Sequence, residues 1–161
     1  MNFLEQAILI SIQPKWCELI ISGKKIIEIR KNKPKLKTPF KCYIYCTQSK
    51  NKIAYYNGNE ILNGKVIGEF ICDAIDWHGL SNLVVQEDAD KTLTGTCLTK
   101  EDVLNYLGYQ RGTNIYDCKN FNFYGWHISN LVIYDKPKKL SDFIPLKKPP
   151  QSWQYVEKLK S

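Results

Sequence analysis

Gly23-Lys24-Lys25-Ile26-Ile27-Glu28-Ile29-Arg30 is the stretch from which the rest of the chain is read. One element ends at its glycine and another begins after it. Upstream, residues 15–21 place Trp16, Leu19 and Ile20 at helical spacing. Pro14 suits the first turn of that helix, because its φ is already fixed near the helical value. Gly23 then stands where a helix commonly ends in a left-handed residue. From residue 26 to 31 the period changes to two, with Ile27 and Ile29 on one face and Glu28 and Arg30 on the other. The spacing predicts helix, turn and strand. Lys25 falls on the turn, and a carboxylate and a guanidinium lie side by side on one strand face.

Working outward, residues 7–12 form a short apolar run that reads as a buried strand. Residues 31–39 carry two prolines and four lysines and read as a loop. Residues 40–46, rich in Tyr and Ile, form a third strand. Residues 49–63 are a polar excursion. Residues 64–75 form a fourth strand, with Gly68 as a candidate bulge. Residues 76–95 read as irregular and acidic. Thr99, followed by Glu101 and Asp102, has the features of a helix N-cap, and that helix stops at Gly108. Residues 109–119 read as a loop. A fifth strand spans 121–134 and Pro137 ends it. The tail carries Leu140 and Phe143, then Pro149-Pro150-Gln151-Ser152-Trp153. The expectation is an α+β fold, a small, mostly β barrel with two inserted helices. It forms one domain over 1–161, and the tail from about 136 packs on or near the barrel.

Composition fits that expectation. The chain has 161 residues, 43% hydrophobic and 24% charged, near the globular average and unlike a disordered chain or coiled coil. No apolar run reaches the roughly 18 residues that cross a bilayer. No basic-then-apolar leader precedes the first strand, so a cytoplasmic protein is expected. The net charge of +7 is concentrated: residues 24–41 hold eight basic residues and one acid, and the remainder holds 15 of each sign. A local basic patch suits a phosphate-bearing partner and equally describes a solvated loop. Of the six cysteines, none forms a C-x-x-C pair, and His78 and His127 stand at no ligand spacing. Cys17, Cys42, Cys46 and Cys72 sit in apolar segments and read as reduced structural thiols. No metal or cofactor is expected.

Gly23, Lys25, Glu28 and Arg30 meet the pattern Gly-x-Lys-x-x-Glu-x-Arg. On these residues, and on the flank Ser11-Ile12-Gln13-Pro14-Lys15, the chain resembles the ASCH domain, a member of the PUA-like barrel superfamily. Residues 40–47, 64–75 and Tyr124-Gly125-Trp126-His127-Ile128 follow in the family's order. The Pro-Pro-Gln-Ser-Trp tail resembles a longer form common in bacteria and their phages. The resemblance implies a PUA-like β-barrel with a cleft beside the motif and a role in binding RNA or a nucleotide. Some small members resemble amidohydrolases of N4-acylated cytidines, and others cleave single-stranded RNA. In the amidohydrolase type a Lys and a Thr of the motif do chemistry. Lys25 occupies the first position and Glu28 stands where the Thr would be.

The candidate ligand-binding residues are Lys15, Lys25, Glu28, Arg30, Trp126 and His127. Lys25 aims an ammonium group from the turn towards a phosphate or base edge. Glu28 pairs with Arg30 and holds its fork for a ligand, or braces the barrel, or acts as a general base. Lys31, Lys33, Lys35 and Lys37 supply contacts to a nucleic-acid backbone, which add affinity without sequence choice. Trp126 and His127 join the set because the family context puts their strand near the motif. Gln151 and Ser152 are placed to close over the cleft. The leading expectation is a module that binds single-stranded RNA or a nucleotide. The alternative is a hydrolase in which Lys25 is nucleophile or base and Glu28 shuttles a proton. A third reading is an interaction module for an acidic protein.

Overall fold

The computed structural model describes residues 5–49, 55–56, 60–61, 63–110, 112–114, 121–143 and 148–160. In chain order the elements are β1 (Gln6–Ile12), α1 (Pro14–Ile21), β2 (Ile27–Arg30), β3 (Phe40–Cys46), β4 (Tyr55–Tyr56), β5 (Glu60–Ile61), β6 (Lys65–Gly79), α2 (Gln86–Thr92), α3 (Lys100–Tyr106), β7 (Asn122–Lys138) and β8 (Trp153–Glu157). Six strands form one mixed sheet in the order β2-β7-β6-β3-β1-β8, and β4 pairs with β5. Among the described residues only β1 and β3 run parallel, joined through α1 and β2; every other pairing is antiparallel. The architecture is α+β, a barrel-like curled sheet with helices set against it, as expected.

The interior is built from alternate residues of β1 and β3, with Ile8, Ile10, Cys42 and Ile44 fully buried. Trp126 fills the centre, edge-on to Phe40 at 5.8 Å and tilted against Trp153 at 5.8 Å. A second core lies on the other face of β2 and β7. There Ile29 and Phe123 meet Leu83, Ala89 and Val103 from the helical side.

Four details differ from the sequence expectation. Helix α1 buries Pro14, Cys17 and Ile20, so its core face is rotated and Trp16 and Leu19 lie at its margin. Residues 76–95 are not irregular: β6 continues to Gly79 because Asp76, Trp77 and His78 pair with Gly125, Tyr124 and Phe123, and α2 follows. That helix was invisible because it buries only Ala89 and has no apolar stripe. β7 runs past Pro137. The register jumps from Gly68↔Ile133 to Val66↔Lys138, and Pro137 sits in this bulged stretch where no ladder bond is required of it. Gly68 marks the same irregularity, since a Cβ there would stand 2.4 Å from the Val132 carbonyl. Finally, the tail contributes β8, which pairs with β1 through Ile8↔Tyr155 and Ile10↔Trp153.

Candidate functional site

The end of α1 is a Schellman turn. Gly23 has φ +81°, its N–H donates to the Ile20 carbonyl, and the Lys24 N–H donates to that of Leu19. The Lys25 N–H donates to Leu19 as well, which turns the chain back so that the Lys25 side chain enters the protein. Ile26 and Ile27 then both donate to the Gly95 carbonyl, which docks the loop 93–98 beside the motif. Gly95 has φ +81°, and a Cβ there would meet Ile26 Cγ1 at 2.8 Å, so this close approach needs glycine. Its neighbour Thr96 is fully buried and pins the loop, its hydroxyl donating to Leu93 O and accepting from Leu98 N.

Three charged side chains are buried here: Lys25 at 1%, Glu28 at 7% and Arg30 at 8% exposure. Lys25 Nζ donates to the Thr96 carbonyl at 2.5 Å and lies 3.6 Å from Glu28 Oε2. Trp16 stands beside it, 5.2 Å from the ammonium to the ring centre. Arg30 Nε donates to Glu28 Oε1 at 3.3 Å. Its Nη1 donates to the Ser152 hydroxyl at 3.1 Å and carbonyl at 3.3 Å, and its Nη2 to the Ser11 carbonyl at 2.7 Å. β2 is one edge of the sheet, and Ser11 and Ser152 belong to the other end. The guanidinium therefore spans the gap between the two ends of the curled sheet. Its fork is spent on protein acceptors. Glu28 Oε2, in contrast, is buried with no hydrogen-bond partner among the described residues and lies 3.6 Å from the Lys25 ammonium.

These groups floor a cavity of about 380 Å³. Trp16, Ile29, Leu98 and Tyr106 give it apolar walls, and Asp102 and Gln151 stand at its polar side. Burial pushes the Tyr106 hydroxyl above its ordinary pKa, and that hydroxyl takes a hydrogen bond from the Lys31 backbone. Asp102 caps α3 in a reciprocal box with Thr99, which orients its carboxylate at the helix start.

An ASCH domain family model matches residues 10–97, from the middle of β1 to the loop that holds Lys25. The chain belongs to the ASCH domain family. The solved ASCH protein from Zymomonas mobilis superposes with a TM-score of 0.63 at 20% identity, over 92% of this chain and 86% of that one. Two mutant forms of the same protein give the same TM-score and identity, over 88% and 87% of their chains. These likenesses establish the PUA-like fold. No curated protein matches the chain.

Within this ASCH domain the motif residues converge as a unit. Lys15 lies at the cavity rim, its Nζ 4.2 Å over the Trp16 ring. Trp126 and His127 do not reach the cavity. Trp126 pairs with Glu28 across the ladder but is fully buried below it, donating from Nε1 to Asn32 O at 3.3 Å. His127 sits on the opposite sheet face, 2.6 Å from Asp76 Oδ2. Lys31, Lys33, Lys35 and Lys37 are all exposed on the loop after β2. Thr96, Asp102 and Tyr106 were not anticipated. The capping signal at Thr99 was visible, and Asp102 and Tyr106 follow from it as one helix face at i and i+4. Among the described residues no group of three or more His, Cys, Asp or Glu is arranged to hold a metal, and no helix is long and apolar enough to cross a membrane. Cys118 lies outside the described residues.

Proposed function

We propose that this ASCH domain binds a nucleotide, with its base edge set against Glu28 and Lys25. The observation that carries the reading is Glu28, which lines the cavity and whose Oε2 is buried with no hydrogen-bond partner among the described residues, beside the Lys25 ammonium. A buried charged acceptor without a partner costs more than the about 1–3 kcal/mol of a neutral one. A ligand N–H would remove that cost. A nucleobase offers a donor and an acceptor on neighbouring atoms, matched to a carboxylate and an ammonium side by side. It is also flat, and Trp16 and Tyr106 provide walls for a flat ring. The volume falls within the about 300–1,000 Å³ typical of small-ligand sites. An acidic polypeptide fits less well, because its carboxylates would meet those of Glu28 and Asp102 in the cavity. Binding to single-stranded RNA and residence in the cytoplasm belong to the same reading.

A second reading is hydrolysis, favoured by the second carboxylate, Asp102, on the same cavity. Lys25 then serves better as a stabiliser of developing negative charge than as nucleophile, since its ammonium is engaged by a carbonyl and a carboxylate. Turnover of N4-acetylcytidine or cleavage of single-stranded RNA, lost in Asp102→Asn, would establish it.

The binding test uses Glu28→Gln. Arg30 donates to Oε1 and so holds the carbonyl end of the glutamine, which places an NH₂ where the unpartnered oxygen was. Titration of a labelled single-stranded RNA by anisotropy at two salt concentrations should show affinity falling by about ten- to a hundredfold. The salt slope should stay unchanged. Unchanged affinity in both Glu28→Gln and Lys25→Met overturns the site.

A further inference from the structure

Beyond Tyr106 the surface leaving the cavity carries aromatic rings and lysines in alternation. Lys31 Nζ lies 4.9 Å over the Tyr106 ring. Lys31 and Asn32 line a second hollow of about 420 Å³ with Phe121 and Tyr124. Lys33 Nζ lies 5.9 Å over Tyr124. Across the β6–β7 ladder Tyr124 is paired with Trp77, so the two rings share a sheet face. Trp77 is 58% exposed, the most exposed large apolar side chain among the described residues. It leans along its strand over Gly79, where a Cβ would stand 3.3 Å from Cη2 of the ring. Lys33, Lys35 and Lys37 then line a third hollow of about 660 Å³ with Ile75, two residues before Trp77 on the same face. Among the described residues, no carboxylate lies within ion-pair distance of Lys31, Lys33, Lys35 or Lys37.

A lone exposed tryptophan is ordinary. One that shares a face with a tyrosine, lies along its strand, and is bordered by cations without counter-charges has the parts of a stacking platform beside phosphate contacts. We propose that Trp77 and Tyr124, with Lys31 and Lys33, form a second subsite for the nucleotides flanking the one in the cavity. The ligand is then a single-stranded nucleic-acid chain rather than a free nucleoside or mononucleotide. This rests on the reading of the cavity given above. Lys33 covers the Tyr124 ring when no ligand is present, and a stacked base displaces it towards its own phosphates.

The test measures a labelled hexaribonucleotide of mixed sequence and, separately, the four ribonucleoside monophosphates, against wild type, Trp77→Ala, Trp77→Phe and Glu28→Gln. Trp77→Ala should weaken the hexamer about tenfold, within the range for one lost stack. It should leave the monophosphates unchanged, and Trp77→Phe should recover most of the loss. Glu28→Gln should weaken both probes. Hexamer affinity indifferent to Trp77→Ala, or an equal loss for both probes, overturns the subsite while a Glu28 effect preserves the cavity reading. Glu28→Gln without effect on either probe removes the cavity reading, and with it a track leading from the cavity. Displacement of the hexamer by polyglutamate at equal charge, or no hexamer binding to wild type, also overturns the proposal.

Discussion

Replacing Arg30 by alanine separates a residue that holds the site together from one that touches its ligand. The side chain is 8% exposed and reaches acceptors on three segments: Glu28 on its own strand, Ser11 on β1 and Ser152 ahead of β8. Its loss leaves the Glu28 carboxylate without its guanidinium and the Ser11 carbonyl without this donor. Breaking a buried pair from one side costs about 3–5 kcal/mol. At about 2–4 °C per kcal/mol for a chain of this length, the midpoint should fall by roughly 6–20 °C. Urea unfolding followed by tryptophan fluorescence gives the free energy, and an unchanged m-value would show that the folded state stays compact. Arg30→Lys keeps the charge but not the planar fork, and should recover less than half of the loss. Arg30→Ala within about 1 kcal/mol of wild type, together with lost RNA affinity, would refute the reasoning, because the fork would then be serving a ligand.

Two further outcomes follow from the same geometry. Burial lowers the pKa of His78, with Asp76 opposing and His127 assisting. The unfolded chain therefore takes up this proton first, so stability is complete above about pH 6.5 and declines as pH falls below it. His78→Gln should flatten that decline in unfolding curves recorded across the interval. Gly95→Ala combines a left-handed backbone with contact against Ile26, and should cost at least the about 1–2 kcal/mol of the backbone strain. By shifting the Thr96 carbonyl it should also weaken RNA affinity, whereas an affinity equal to wild type would show that the loop does not position Lys25.

The motif and its surroundings were legible because they rest on local rules. Gly23 ends α1 as glycine does past a helix, the alternation of Ile27 to Arg30 separates core from cavity, and Thr99 announces α3. The strand β8 was not legible. It is an edge strand paired with β1, and its sequence, Trp153 to Glu157, alternates too briefly to be distinguished from a tail. Helix α2 was hidden because its contact with the core is one alanine. Trp126 and His127 were assigned from the position of their strand. Neighbouring residues of a strand point to opposite faces, so no more than one of them could have faced the cavity. The interior took that one, Trp126, which is fully buried and packs between Phe40 and Trp153. Trp77 attracted no notice because its segment reads as polar, and only the pairing with Tyr124 gives it a neighbour.

The buried charges divide along the same line. Replacing a buried ionic group by apolar side chains of similar size is often neutral or stabilising, so burial alone does not explain why three ionic groups occupy the end of a barrel. Arg30 has a structural reason to be there, since no apolar side chain could join β2 to the far end of the sheet through carbonyls. Glu28 Oε1 shares that reason as the counter-charge of Arg30. Lys25 and Glu28 Oε2 have none of comparable weight. Among the described residues Lys25 donates to one carbonyl, which a water could satisfy, and Oε2 has no hydrogen-bond donor, only the ammonium beside it. On the proposed reading Gly23 and Arg30 build the site, and Lys25 and Oε2 are what it holds ready for the ligand. A site of that kind discriminates by what it leaves unpaired: a base edge that lacks the matching donor would seal the carboxylate away from water without repaying it, and such mismatches exclude analogues more strongly than a poorly filled apolar wall does.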